Sequence, residues 1–215
     1  MIYVSLDDKY DINFLKLLNN IDFAEIRMDR MTLSGEDIRT IFSQPKRLIA
    51  TCRPGYLTKS IRMDYLIKAI EAGASYVDIE IESDSRYRKD IIEKARSKGC
   101  VVIISYHNRH ETPSIDSLNS IVTTCFKEGA QIAKVACMVN SPADCARLIG
   151  LLGNAGYHGR LVVIGMGAKG KITRVLAPLL GSPFTYASYE EGKETAPGQI
   201  EGKRLEEMIR LVGNG

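Results

Sequence analysis

The sequence predicts an α/β protein of the (β/α)8 class, a parallel eight-stranded TIM barrel with outer helices, and three observations predict it. Eight short β-rich runs are distributed along 215 residues. Apolar residues at helical spacing fill the intervals between them. No composition shift or linker interrupts the alternation. Strands alternating with helices in this way pair in parallel through helical crossovers, and eight such units close a barrel. Residues 1–215 therefore read as one barrel domain. A doubly wound open sheet is the competing architecture. It usually has fewer strands and a glycine-rich turn after the first, whereas the first strand here runs into Leu6-Asp7-Asp8.

The first run, IYVSL (2–6), leads into YDINFLKLLNN, where Ile12, Leu15 and Leu18 can share one helical face. FAEIRMD (23–29) and RLIATCR (47–53) are the second and third strands. MDYLIKAIEAG then carries Leu66, Ile67 and Ile70 and stops at Gly73, a plausible C-cap. SYVDIE (75–80) precedes the helical segment SRYRKDIIEKARSKG, and CVVIISYH (100–107) precedes SIDSLNSIVTTCFKEG. QIAKVAC (131–137) leads into SPADCARLIGLLGNAG, whose Ser141-Pro142 reads as an N-cap followed by a first-turn proline. RLVVIGM (160–166) enters a glycine-rich stretch, FTYAS (184–188) is the last strand, and GQIEGKRLEEMIRLVG closes the chain as a helix.

Composition removes several classes of function. With 45% hydrophobic and 26% charged residues the chain is an ordinary globular protein. Its net charge of +3 is evenly spread. No basic run alternates with aromatics, so a nucleic-acid partner is not expected. No apolar stretch reaches the roughly eighteen residues of a membrane span. MIYVSLDDKY lacks the basic region and apolar core of a signal peptide. The five cysteines, Cys52, Cys100, Cys125, Cys137 and Cys145, are odd in number and include no CxxC pair. That pattern indicates neither a disulfide framework nor a zinc site, and it fits a reducing cytoplasm.

Charged residues punctuate the strands toward their C-terminal ends, where parallel strands covered on both faces should be apolar. Glu25, Arg27 and Asp29 alternate in the second strand and so share a face. Arg53 closes the third strand, Asp78 and Glu80 the fourth, and His107 the fifth. Active sites of (β/α)8 enzymes are built at that end. Rim ion pairs explain any one of these residues as well as function does, and Asp78 and Glu80 read best as structural partners. Retaining the whole group needs pairing or a polar ligand, because burying charges costs several kcal/mol each.

Lys134 is the most informative residue. It sits in Ile-Ala-Lys-Val-Ala, in the middle of a strand with small or apolar neighbours. In a barrel core, burial disfavours its charged form and leaves a nucleophilic amine, which attacks ketones and aldehydes to give iminium ions. His107, at the end of the preceding strand, is placed to pass protons to and from such an intermediate. His110 and His158 read as surface residues. The stretch Gly165–Arg174 follows the seventh strand, where barrels often bind anions through backbone N–H groups. Arg174 adds a planar fork suited to a carboxylate or phosphate. The final loop, Glu194-Thr-Ala-Pro-Gly-Gln199, is long enough to cover a substrate.

Taken in order, these pieces resemble the type I 3-dehydroquinate dehydratases, Schiff-base-forming enzymes of the shikimate pathway. The matching segments are Glu-Ile-Arg-Met-Asp (25–29), Thr-Cys-Arg (51–53), Val-Asp-Ile-Glu (77–80) and Ser-Tyr-His-Asn (105–108). They continue with Ala-Lys-Val-Ala (133–136), Met-Gly-x-x-Gly-x-Ile-Thr-Arg (166–174) and Ala-Pro-Gly-Gln (196–199). The resemblance implies a hydro-lyase that converts 3-dehydroquinate to 3-dehydroshikimate. Lys134 forms the imine and His107 acts as general acid and base. Arg174 pairs with the substrate carboxylate, and Glu25, Arg27, Arg53, Thr195 and Gln199 complete the substrate contacts. It implies no metal or diffusible cofactor, and a homodimer. One departure stands out: many relatives carry a glutamate four residues beyond the third-strand arginine, where this chain has Leu57. Two rivals share the barrel: a lysine-dependent aldolase or transaldolase acting on a sugar phosphate, and a binding protein using Lys134 only as a counter-ion.

Overall fold

The structure, a computed structural model, describes residues 1–7 and 11–213; Asp8 of the first turn and Tyr10 ahead of the first helix lie outside them. Strands and helices alternate as β1 (Ile2–Leu6), α1 (Ile12–Asn19), β2 (Phe23–Arg27), α2 (Gly35–Phe42), β3 (Arg47–Thr51), α3 (Lys59–Ala72), β4 (Tyr76–Glu80) and α4 (Ser85–Ser97). They continue with β5 (Val101–Asn108), α5 (Ile115–Lys127), β6 (Ile132–Met138), α6 (Pro142–Gly150), β7 (Leu161–Met166), α7 (Lys171–Leu179), β8 (Thr185–Ser188) and α8 (Gly202–Gly213). The eight strands lie in one sheet in chain order, with β8 beside β1. The fold is the expected (β/α)8 class.

The chain packs as two compact units, one spanning Ser5–Ile103 and the other Ile104 onward together with Met1–Val4. In the first, β2, β3 and β4 pair in parallel with Arg27 opposite Thr51 and Thr51 opposite Asp78. Ile26, Leu48, Ile49 and Val77 from these strands are fully buried, and Ile38, Ile41, Leu66 and Ile91 from α2, α3 and α4 are buried with them. In the second, β6 pairs with β7 so that Lys134 stands opposite Val162. Val135, Val163, Leu148 and Val175 form its apolar interior.

Local signals in the sequence account for most helix ends. Gly73 terminates α3 with φ +113, in the left-handed region where a side chain is strained. Ser141 and Asp144 form a capping box ahead of Pro142 in the first turn of α6. Helix α6 nevertheless stops at Gly150, short of the expected segment, and gives way to 3-10 turns at Leu151–Gly153 and Ala155–Tyr157. Two of the eight helices implied by the alternation had no segment assigned to them. Helix α2 has eight residues and starts at a second capping box, Ser34 with Asp37. Helix α7 begins inside the glycine-rich stretch, at Lys171, and glycine content masked its start.

Several strand ends differ from those the sequence predicts. Strand β2 stops at Arg27, and a 3-10 turn spans Met28–Arg30. Asp29 is therefore not on the strand face shared by Glu25 and Arg27. The turn brings its carboxylate back onto the Arg27 guanidinium, which donates through Nε at 3.1 Å and Nη2 at 2.8 Å. Strand β3 ends at Thr51, so Arg53 lies just beyond it, and β5 extends to Asn108.

Candidate active site

Within the unit Ser5–Ile103, three of the anticipated residues gather at the C-terminal ends of β2 and β3. Glu25 is buried on β2 and accepts hydrogen bonds from Ser5 Oγ at 2.7 Å and Thr51 Oγ1 at 3.0 Å. These hydroxyls, on β1 and β3, hold the carboxylate from both sides. Arg53 donates through Nη2 to Asp78 at 2.6 Å, and its Nη1 lies 3.8 Å from Glu80. Both acids thus serve as structural partners. Burial works to lower the Arg53 pKa, but the carboxylates of Asp78, Glu80 and Glu25 outweigh it and hold it above its ordinary value. Burial likewise opposes ionisation of Asp29, yet the hydrogen bond and charge of Arg27 keep its carboxyl below the usual range. Arg53 and Asp29 thus keep their charges, and the cluster presents a fixed array of forked donors and acceptors suited to a polyhydroxylated ligand.

The unit from Ile104 onward carries the other anticipated residues. Lys134 is only 5% exposed on β6, and its Nζ lies 4.0 Å from the ring centroid of Tyr186 on β8. The amine is turned inward, away from bulk water. His107 stands half-buried near the end of β5, the strand next to β6 in the sheet, with Nδ1 shielded from solvent. The loop after it is fixed. Asn108 Oδ1 accepts from the backbone N–H groups of His110 and Glu111, both at 3.0 Å. Thr112 Oγ1 donates to the Met138 carbonyl at 2.7 Å, and Asn140 Nδ2 to the His110 carbonyl at 2.8 Å. The loop that follows the imidazole is therefore tied to the end of the strand bearing the amine.

Arg174 lies in the first turn of α7 at 1% exposure. Its Nε donates to the Gly198 carbonyl at 2.9 Å and its Nη1 to the Tyr186 carbonyl at 3.2 Å. Sequence reading gives this arginine a ligand role alone; the structure adds that it ties β8 to the final loop. Gln199 Oε1 accepts from Thr195 N at 2.7 Å and from Thr195 Oγ1 at 3.3 Å. Both residues are buried, and Gly167 N donates to the Pro197 carbonyl at 3.1 Å. The loop Glu194–Gln199 is seated against the turn after β7.

Gly198 makes that seating possible, and Gly170 lets the turn after β7 close against its own strand. A Cβ on Gly170 would lie 2.4 Å from the Gly165 carbonyl carbon, and one on Gly198 would lie 2.3 Å from the Gly167 oxygen. Gly198 also has φ +80. Gly198→Ala is therefore expected to cost about 3 kcal/mol through overpacking and backbone strain. That corresponds to a fall in Tm of roughly 6–12 °C for a chain of this size, measurable by calorimetry.

Three contributors escaped the sequence reading: Ser5, Thr51 and Tyr186. Ser5 breaks an apolar first strand, and that was the available signal for it. Thr51 and Tyr186 are ordinary strand residues whose partners come from distant positions. The cysteines offer no rival nucleophile near the strand ends. Burial pushes the Cys52 and Cys137 thiols up to about 12, so their thiolates are scarce at neutral pH.

Fold and site together define a class, a (β/α)8 protein with a buried lysine on its sixth strand and an arginine-backed glycine loop after the seventh. Comparison with known proteins narrows it. Residues 7–215 match the family model for Type I 3-dehydroquinase. The 3-dehydroquinate dehydratase of Methanocaldococcus jannaschii is 37% identical over 209 residues, covering 92% of this chain and 90% of that protein. The chain belongs to the Type I 3-dehydroquinase family. Among solved structures, 3-dehydroquinate dehydratase from Aquifex aeolicus superimposes with a TM-score of 0.81 at 29% identity, covering 98% of each chain. A type I enzyme from Clostridium difficile, solved with covalently modified comenic acid, matches in fold with a TM-score of 0.87 at 20% identity, over 99% of this chain and 92% of that one.

Proposed function

We propose that this protein, with residues 1–215 acting as one catalytic domain, is a 3-dehydroquinate dehydratase that works through an imine at Lys134. The observation that carries the reading is the inward, buried amine of Lys134 in a chain of this family. The nitrogen attacks the C3 ketone and a water molecule leaves, giving an iminium ion. The positive nitrogen withdraws electrons from C2, so His107 can remove a C2 proton and form an enamine. The enamine electrons then expel the C1 hydroxyl, which leaves as water with a proton from His107. A second water hydrolyses the product imine, releasing 3-dehydroshikimate and restoring the lysine. One water is lost overall. Arg174 pairs with the carboxylate, while Glu25, Arg27, Arg53, Thr195 and Gln199 hold the hydroxyls. Family membership favours this over the aldolase and over simple metabolite binding.

Purified protein given 3-dehydroquinate should generate a conjugated enone absorbing in the ultraviolet. No absorbance change, with turnover of a sugar phosphate instead, would favour the aldolase. Arg174→Ala is expected to raise KM by about 30- to 100-fold, the loss of a charge-assisted fork. It should also lower Tm, because the Gly198 and Tyr186 carbonyls lose their donor. Unchanged KM with reduced kcat would contradict the carboxylate role.

The same reading makes the protein a cytoplasmic homodimer. Among the described residues no helix is long and apolar enough to cross a membrane. Light scattering on the purified chain gives the mass of the assembly, and a monomer would contradict the dimer.

A further inference from the structure

Tyr186 does more than fill space. Its ring face lies 4.0 Å from Lys134 Nζ, and both residues are almost fully buried, at 3% and 5% exposure. The ring is held by its neighbours. Phe184 meets it edge-on with centroids 5.7 Å apart, and Tyr3 lies 6.5 Å from it and 4.8 Å from Phe184. Tyr3 and Phe184 are themselves buried, so the ring cannot swing away from the amine without disturbing this cluster. The main-chain carbonyl of the same residue receives Arg174 Nη1. One residue therefore stands beneath the reacting nitrogen with its side chain and steadies the arginine with its backbone.

We propose that Tyr186 is a positioning residue for the imine step, its ring face holding the Lys134 nitrogen in place and stabilising the positive charge that develops there. The inference rests on the imine reading above. When the carbinolamine loses water, the nitrogen lone pair moves into the C=N bond and the nitrogen becomes cationic. The departing hydroxyl takes a proton and leaves as water, so atoms and charge balance. An aromatic face attracts a cation and has no such attraction for a neutral amine. The contact therefore favours the species formed at this step over the one consumed. Burial of both partners strengthens it, because little water competes for the charge. A desolvated contact of this type corresponds to roughly a tenfold effect on rate.

The test uses rapid quenching of the full-length protein with borohydride after mixing with 3-dehydroquinate, following the appearance of the reduced adduct at Lys134 by mass spectrometry. Tyr186→Phe keeps the ring face and is expected to form adduct within about twofold of wild type. Tyr186→Leu is expected to be about tenfold slower. If the leucine variant fails to fold, phenylalanines carrying one, two and three ring fluorines at position 186 decide the matter. They keep the ring shape while draining its negative face, and the rate of adduct formation should fall stepwise with each fluorine. A purely steric shelf would not produce that gradation. A flat fluorine series, or Tyr186→Phe as slow as Tyr186→Leu, overturns the proposal while leaving the imine reading intact. Turnover by wild type with no adduct at Lys134 overturns both.

Discussion

Replacing Lys134 with alanine is expected to abolish turnover of 3-dehydroquinate, with a loss of roughly 10,000-fold or more in kcat, the scale seen when a covalent nucleophile is removed. The expectation follows from the distribution of chemistry around the amine. Among the described lysines, Lys134 alone combines burial, a central strand position and an aromatic face beneath its nitrogen. The Cys52 and Cys137 thiols are held protonated by burial and cannot substitute. Stability should change little by comparison, since truncating a buried lysine also removes a desolvated polar group. The ultraviolet enone assay on matched amounts of folded protein measures the effect. Substantial residual activity in Lys134→Ala would exclude the imine route.

Replacing His107 with alanine should slow turnover by about 100- to 10,000-fold, the usual contribution of a positioned general acid and base. The imine should still form to some extent in this variant, because the amine and its surroundings are untouched. Borohydride should therefore trap substrate on Lys134 even as product formation almost stops. Asn108 and Thr112 fix the loop that follows the imidazole, so the effect should be chemical rather than a collapse of the loop. Loss of both trapping and turnover, with melting unchanged, would place His107 earlier in the reaction than proposed. Turnover near the wild-type rate would remove it from the mechanism.

Much of this architecture was legible in the residues because barrel strands announce themselves by apolar runs, and polar intrusions then stand out. Lys134 was visible for that reason: a lysine flanked by Ala133 and Val135 has few structural uses. The ends of elements were less legible. Asp29 continues the alternation of Glu25 and Arg27 in sequence, and only the turn Met28–Arg30 reveals that it folds back onto Arg27. Helix α2 was harder to assign because its eight residues offer only three apolar positions, Ile38, Ile41 and Phe42. Residues that act through distant partners left almost no local trace. Thr51 serves Glu25 across a strand pair, and Tyr186 reaches Lys134 from the other end of the sheet order. Arg174 was legible as an anion fork, whereas its two bonds to main-chain carbonyls follow from tertiary packing that spacing does not encode.

In the imine mechanism, catalysis passes through a covalent bond between substrate and Lys134. Borohydride added during turnover of 3-dehydroquinate, followed by digestion and mass spectrometry, tests it most directly. A reduced adduct on the peptide containing Lys134 is expected, with irreversible loss of activity in proportion to labelling. Continued enone production with no adduct, or an adduct confined to another lysine, would contradict it.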